Sequence, residues 1–251
     1  MLFSATFYRI EAIRQLRNPY TLAFTLAMPV AMYLLFGASA DYASLEVGHG
    51  NVSFYVMVSM AAFGTATAMS SLCSLAASEA GQGWGRQLAL TPLPVTGYAI
   101  TKVLTALSFA SLSVAAVFAA GLATGARADD GWRWLAAAAI ALALGTVYGL
   151  FGLGTGLAFN SDSAAALASI SITFFGFFGN VFVPLDGVML EIAKYTPMYG
   201  YVALVRWPLT DGALLAGGSD PLWAVLLNVL AWTVVFALLV RLGVLRSRRR
   251  R

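Results

Sequence analysis

The chain has 251 residues, 60% hydrophobic and only 10% charged, with a formal net charge of +4 and a mean hydropathy of +0.80. Soluble domains carry about 25% charged residues, so this balance excludes an ordinary soluble domain. Several apolar runs of about 18 residues or more mark an all-α membrane protein, and the single cysteine, Cys73, excludes an intramolecular disulfide.

In chain order, residues 1–18 place Phe3, Phe7, Ile10, Ile13 and Leu16 among Arg9, Glu11, Arg14 and Arg17. The apolar face is broad, but arginine snorkels, and the pattern predicts a helix lying along the membrane interface. No cleavable signal peptide is expected. Pro19 breaks this helix, and the first span follows at 20–40, kinked at Pro29. Residues 41–51 form a short acidic loop. The second span covers 52–78. Along it Thr67, Ser70, Ser71, Ser74 and Ser78 recur on one helix face. Such a hydroxyl stripe either packs against a neighbouring helix or lines a polar path.

Residues 79–99 are polar and interrupted by Gly81, Gly83, Gly85, Pro92 and Pro94, which prevent one long helix. Trp84 to Leu90 is long enough for about two helical turns, read as an element that docks a partner protein. The third span is placed at 100–124, and Ala128–Gly131 makes a turn. The fourth span, at 132–159, contains Gly145, Gly149, Gly152 and Gly156, whose small-xxx-small spacing lets helices approach closely. After a turn at 160–163 comes the fifth span, at 164–181. Ser169, Thr173, Gly176 and Asn180 share one of its faces. Phe174, Phe175, Phe177 and Phe178 crowd its far half, facing either lipid or a cavity. Residues 182–219, broken by Pro184, Pro197 and Pro208, hold no stretch long enough to span. They read as two short helices, Leu185–Tyr195 and Met198–Trp207, dipping into the outer leaflet as a lid. The sixth span runs 222–244 and ends in a basic tail, Arg246 to Arg251, read as an anchor at an anionic leaflet rather than a nucleic-acid site.

With both ends in the cytoplasm, the inside carries Arg9, Arg14, Arg17, Arg86, Lys102, Arg241 and the tail. The outside then carries only Arg127, Arg133, Lys194 and Arg206, in keeping with the positive-inside rule. Little chemistry is available. The lone His49 has no Cys or second His to make a metal site, and no serine has a histidine base. The span interiors hold no Asp, Glu or Lys, which argues against an ion-coupled transporter. There is no GxxxxGK[ST] loop, so a transporter of this kind must borrow its energy. No catalytic residue and no cofactor are expected in the chain.

The stretch EAGQGWGRQLALTPLPVTGYAITK, Glu79 to Lys102, is similar to the cytoplasmic loop of ABC-2 type transporter permeases, the family of the daunorubicin and multidrug exporters. An acidic residue opens that loop, a coupling helix follows, then a Thr-Pro pair (Thr91-Pro92), and a lysine heads the third span. VFVPLDGVMLEIAKYTPMYGYVALVR, Val181 to Arg206, resembles the family's outer re-entrant segment, with a proline after the fifth span and a second, Pro197, before an aromatic-rich helix ending in arginine. The six-span plan and the interfacial helix match as well. Gly-Gln-Gly stands where the family often carries more charge, so the grip on a partner would rest more on Trp84, Arg86 and Leu88.

The resemblance implies a half-transporter that pairs with a second copy or a paralogue. Two ATPase subunits, which hold ATP and Mg, would bind a coupling element of Glu79, Gln82, Trp84, Arg86 and Leu88. The substrate path would run between the second and fifth spans, past Thr67, Ser70, Ser71, Ser74, Ser169, Thr173, Phe177 and Asn180. Phe178, Phe182, Pro184 and Pro197 would form the outer gate. Small apolar lining suits a hydrophobic or amphipathic cargo (a drug, antibiotic or lipid) better than a polysaccharide. The Ala- and Gly-rich composition accords with a bacterial cell membrane and export. A non-transporting scaffold or immunity protein is the competing reading, and it leaves the coupling loop unexplained.

Overall fold

The computed structural model describes residues 4–39, 41–80, 82, 94–159 and 163–249. Nine helices and one short hairpin are seen among them. Helix α1, Ala5–Leu16, is capped by Ser4, whose Oγ accepts from the Phe7 amide at 3.3 Å. Asn18 caps the next helix by accepting from the amides of Tyr20 and Thr21, with Pro19 in the first turn where its missing N–H costs nothing. That helix, α2, runs Pro19–Ala38 and widens into π geometry at Ala23–Ala27 and Leu34–Ala38. The first widening precedes Pro29, which cannot donate to the carbonyl four residues back.

Residues 41–51 hold more order than a polar loop. Strands β1, Glu46–Val47, and β2, Gly50–Asn51, pair antiparallel with Glu46 opposite Asn51. Asn51 then caps α3, Val52–Glu79, accepting from the amides of Phe54 and Arg127 and donating from Nδ2 to the Gly125 carbonyl. One side chain thus joins the hairpin, the start of α3 and the link after α4.

Helix α3 is the axis of the bundle and is buried along its length. Around it pack α2, α4 (Val95–Thr124), α5 (Gly131–Phe159) and α6 (Ala164–Phe178). The third predicted span begins five residues earlier than expected, directly after Pro94, whose extended backbone (φ −70, ψ 156) makes it the N-cap of the helix. The glycines of α5 bring it against α3. A Cβ on Gly152 or Gly156 would run into the carbonyls of Ser70 and Ser74, so only glycine permits this approach.

Among the described residues, five helices are long and apolar enough to cross a membrane. The predicted fifth span corresponds to α6, which has 15 residues and is therefore about 22 Å long, short of the roughly 30 Å hydrocarbon core. It stops three residues before the predicted end because Asn180 turns the chain at φ 60, a left-handed geometry that asparagine tolerates. Its Oδ1 accepts from the Leu185 amide at 2.8 Å. Two short helices follow, α7 at Gly187–Ala193 and α8 at Pro197–Thr210, before α9, Leu222–Arg249. Helix α9 clips the α7–α8 corner. Asn228 Nδ2 donates to the carbonyls of Lys194 and Thr196, and Trp232 Nε1 donates to that of Tyr195.

Candidate functional site

At the end of the bundle that carries α1, five polar side chains meet from three elements. On α1, Glu11 faces inward together with Arg14 and Gln15, as i, i+3, i+4 spacing requires. Glu79 closes α3, and Lys102 lies two turns into α4. Lys102 Nζ is 2.8 Å from Glu11 Oε1 and 2.6 Å from Glu79 Oε2. Arg14 is 2.7 Å from Glu11 Oε1 and 2.6 Å from Glu79 Oε1. Two acids and two bases therefore close a ring in which each charge touches two of opposite sign. Gln15 donates to Glu11 Oε1 at 3.1 Å and accepts from Thr21. Tyr98 Oη donates toward Glu79 and the Ala76 carbonyl, and its ring stacks on Phe7 at 6.0 Å.

Glu11, Gln15 and Lys102 are buried. Burial pushes the Glu11 carboxyl up, but the Lys102 ammonium, the hydrogen bonds from Lys102 and Gln15, and the Arg14 guanidinium together hold it below its ordinary value. Burial likewise pulls Arg14 down, and the carboxylates of Glu11 and Glu79 more than restore it. Both shifts favour the charged forms of Glu11 and Arg14. A closed, neutral ring of this kind resists the loss of any one member, since that leaves a buried charge uncompensated. Mechanically it welds α1 to both ends of the segment between α3 and α4.

Of the residues expected to couple to a partner, Glu79 lies in this ring and Gln82 is exposed just beyond α3. Trp84, Arg86 and Leu88 lie outside the described residues. Glu11 and Arg14 were not expected at a site. Their signal was present as an acid and a base three residues apart on an otherwise apolar helix face.

The expected path residues separate into two groups. Thr67, Ser70 and Ser74 are fully covered. Thr67 and Ser70 donate back to carbonyls of their own helix, and Thr155 of α5 donates to Ser74 Oγ at 3.2 Å. In the single chain Ser70 and Ser74 lie against Gly152 and Gly156 of α5, so they serve packing there. Ser71 is half-buried on the neighbouring edge. On α6, Ser169 is buried and donates to the Ala165 carbonyl, whereas Thr173 is half-buried and Phe177 is 54% exposed. Asn180 is buried in its turn.

The expected gate residues are likewise divided. Phe178 and Pro184 are exposed, Phe182 is wedged between the rings of Phe63 and Phe177 at 4.9 and 4.8 Å, and Pro197 is buried, its carbonyl accepting from Tyr148 Oη. Beside them Arg206 of α8 is 6% exposed. Its Nε donates to Ser59 Oγ at 2.7 Å, an NH2 group donates to the Val181 carbonyl at 3.2 Å, and the guanidinium lies 4.0 Å from the Tyr55 ring centroid. Among the described residues it makes no ion pair. Neutral groups of α3 and of the α6–α7 link hold it, next to a cavity of about 20 Å³ that Asn180, Tyr199 and Asp220 also line, room for about one water.

The chain is similar over 240 residues, at 25% identity and covering 91% of both chains, to a Bacillus subtilis (strain 168) protein named "Putative transport permease YvfS". The sequence profile of the family described as ABC-2 type transporter matches residues 5–209, from the start of α1 to the end of α8. A multi-pass helical protein whose match runs from the welded α1 to the Arg206 helix is a membrane transport component, and the chain belongs to the ABC-2 type transporter family.

Proposed function

We propose that the chain is the membrane half of an ATP-driven exporter. It moves a hydrophobic or amphipathic compound, such as a drug, an antibiotic or a lipid, out across a bacterial cytoplasmic membrane. The α1 end faces the cytoplasm and the hairpin end faces outward. Two ATPase subunits, which supply ATP and Mg, bind below the α3–α4 segment, and a second copy or a paralogue completes the path.

The observation that carries this reading is the four-charge ring of Glu11, Arg14, Glu79 and Lys102. It ties both ends of a polar segment to an interfacial helix, the construction needed to turn a push on that segment into movement of α3 and α4. The cargo follows surface left open in the single chain, past Ser71, Thr173, Phe177 and Phe178. Ser70 and Ser74 instead hold α3 against α5. Helices α7 and α8 dip into the outer leaflet as the lid, with Phe182, Pro184 and Pro197 at its hinge.

The test is co-purification with a candidate phosphate-loop ATPase, comparing the parent with a Trp84→Ala/Arg86→Ala variant. Complex formation and ATP hydrolysis should collapse in the variant. Recovery of the permease without any ATPase, or equal hydrolysis by both forms, would overturn the reading. In the same preparation Ser71→Trp and Thr173→Trp should impair transport with assembly intact.

A further inference from the structure

At the hairpin end, the chain's one histidine sits between carboxylates from two other elements. His49 Nε2 is 2.8 Å from Asp211 Oδ2 at the end of α8, and Nδ1 is 3.6 Å from Asp129 Oδ2 in the α4–α5 link. The backbone repeats the same three-way join. The His49 amide donates to the Leu209 carbonyl at 2.9 Å, and the Asp129 amide donates to the His49 carbonyl at 2.9 Å. Gly48, at φ +56, lies so close to the Leu209 carbonyl that a Cβ would strike it. The hairpin is thereby inserted between α8 and the link, forming one wall of a 470 Å³ outer cleft that Glu46, Arg127 and Asp129 also line.

We propose that His49 is a proton-operated clasp that holds α8 to the hairpin and the α4–α5 link. The imidazolium carries two N–H donors and faces both carboxylates as a charge. Neutral imidazole carries one N–H, so it donates to one carboxylate and turns a lone pair toward the other. Protonation therefore favours the closed clasp and deprotonation loosens it. The elements packed here carry Glu46 on the hairpin, Arg127, Asp129 and Asp130 on the link, Arg133 on α5, paired with Asp130, and Asp211 on α8. Imidazole is the side-chain type that ordinarily exchanges its proton between about pH 5 and 8, and the sequence holds no second histidine. The side chains are 40–67% exposed, so solvent limits the coupling. Exposed pairs of this kind shift an equilibrium about two- to fivefold. The proposal rests on our reading only in placing this face outside, where an acidic medium would hold α8 down.

Hydrogen exchange on the purified chain in nanodiscs reads the clasp directly and needs neither ATPase nor cargo, so it succeeds or fails independently of the exporter reading. Peptides covering 45–51, 124–131 and 205–212 should show about two- to fivefold greater protection at pH 5.5 than at pH 8, with labelling times scaled for intrinsic exchange. His49→Gln should show the lower protection at both pH values, and His49→Lys, with a permanent cation, the higher protection at both. Equal protection of the native chain at the two pH values, or a pH response that survives in His49→Gln, would overturn the proposal.

Discussion

Replacing Lys102 by methionine keeps the side chain's length and removes the charge that two carboxylates share. Glu11 and Glu79, whose side chains are 6% and 12% exposed, are then left with Arg14 alone, itself 42% exposed. Removing one partner of a buried ion pair costs about 3–5 kcal/mol. Arg14 still compensates one acid, so the lower bound applies, about 3 kcal/mol. For a chain of this size that corresponds to a fall of about 6–12 °C in the thermal midpoint, measured as the monodisperse fraction surviving heat in detergent. The decisive variant is Lys102→Met with Glu11→Gln. It leaves Arg14 and Glu79 as a balanced pair and should recover about 1–3 kcal/mol of the sum of the two single losses. Losses that simply add, or a Lys102→Met variant within about 1 °C of the parent, would show that the four charges do not act as a ring.

Acid should loosen α1 from the bundle. Glu11 is held below its ordinary 4.5, so its contribution is complete above that value and is lost as pH falls through the lowered one. Protease cleavage within α1 should rise as pH is taken down below 4.5, and in Glu11→Gln the rise should be blunted. Gly152→Leu should separate α5 from the Ser70 carbonyl and cost at least about 1–3 kcal/mol, seen as loss of the monodisperse species, whereas leucine at Gly131, where a Cβ would meet nothing, should change it far less. Asn228→Leu strips hydrogen bonds from two carbonyls of the α7–α8 corner and should cost about 1–3 kcal/mol, with exchange protection lost at 197–205 before it is lost in α3.

Much of the helix plan was legible because apolar runs declare themselves through solvation alone. Pro19, Asn51 and Pro94 mark helix starts through rules that hold wherever they stand. Other features depend on partners distant in the chain. Nothing around Ser70 or Ser74 says that their face of the helix is covered. That follows from glycines some 80 positions later, whose spacing was visible but whose target was not. Asn180 ends α6 early through its own left-handed turn, a choice that an apolar pattern running to Val181 conceals. Glu11 and Arg14 looked like blemishes on an amphipathic face because their counter-charges lie on α3 and α4. Arg206 was visible only as the end of a family-like motif, and its neutral surroundings required the fold. The residues expected to grip a partner, Trp84, Arg86 and Leu88, lie outside the described residues.

The central helix also carries a consequence for biogenesis. Helix α3 leaves the ribosome before α4, α5 and α6, which cover most of it, have been made, and it must spend that interval with those faces beside lipid. Five of its hydroxyls are prepared for the wait. Ser59, Thr65, Thr67, Ser70 and Ser71 each donate to a carbonyl three or four positions earlier in the same helix, so none of them needs a neighbour to be satisfied. A span destined for the centre of a bundle can therefore enter the membrane alone and exchange lipid for the glycine face of α5 when that face arrives, without first breaking a polar contact.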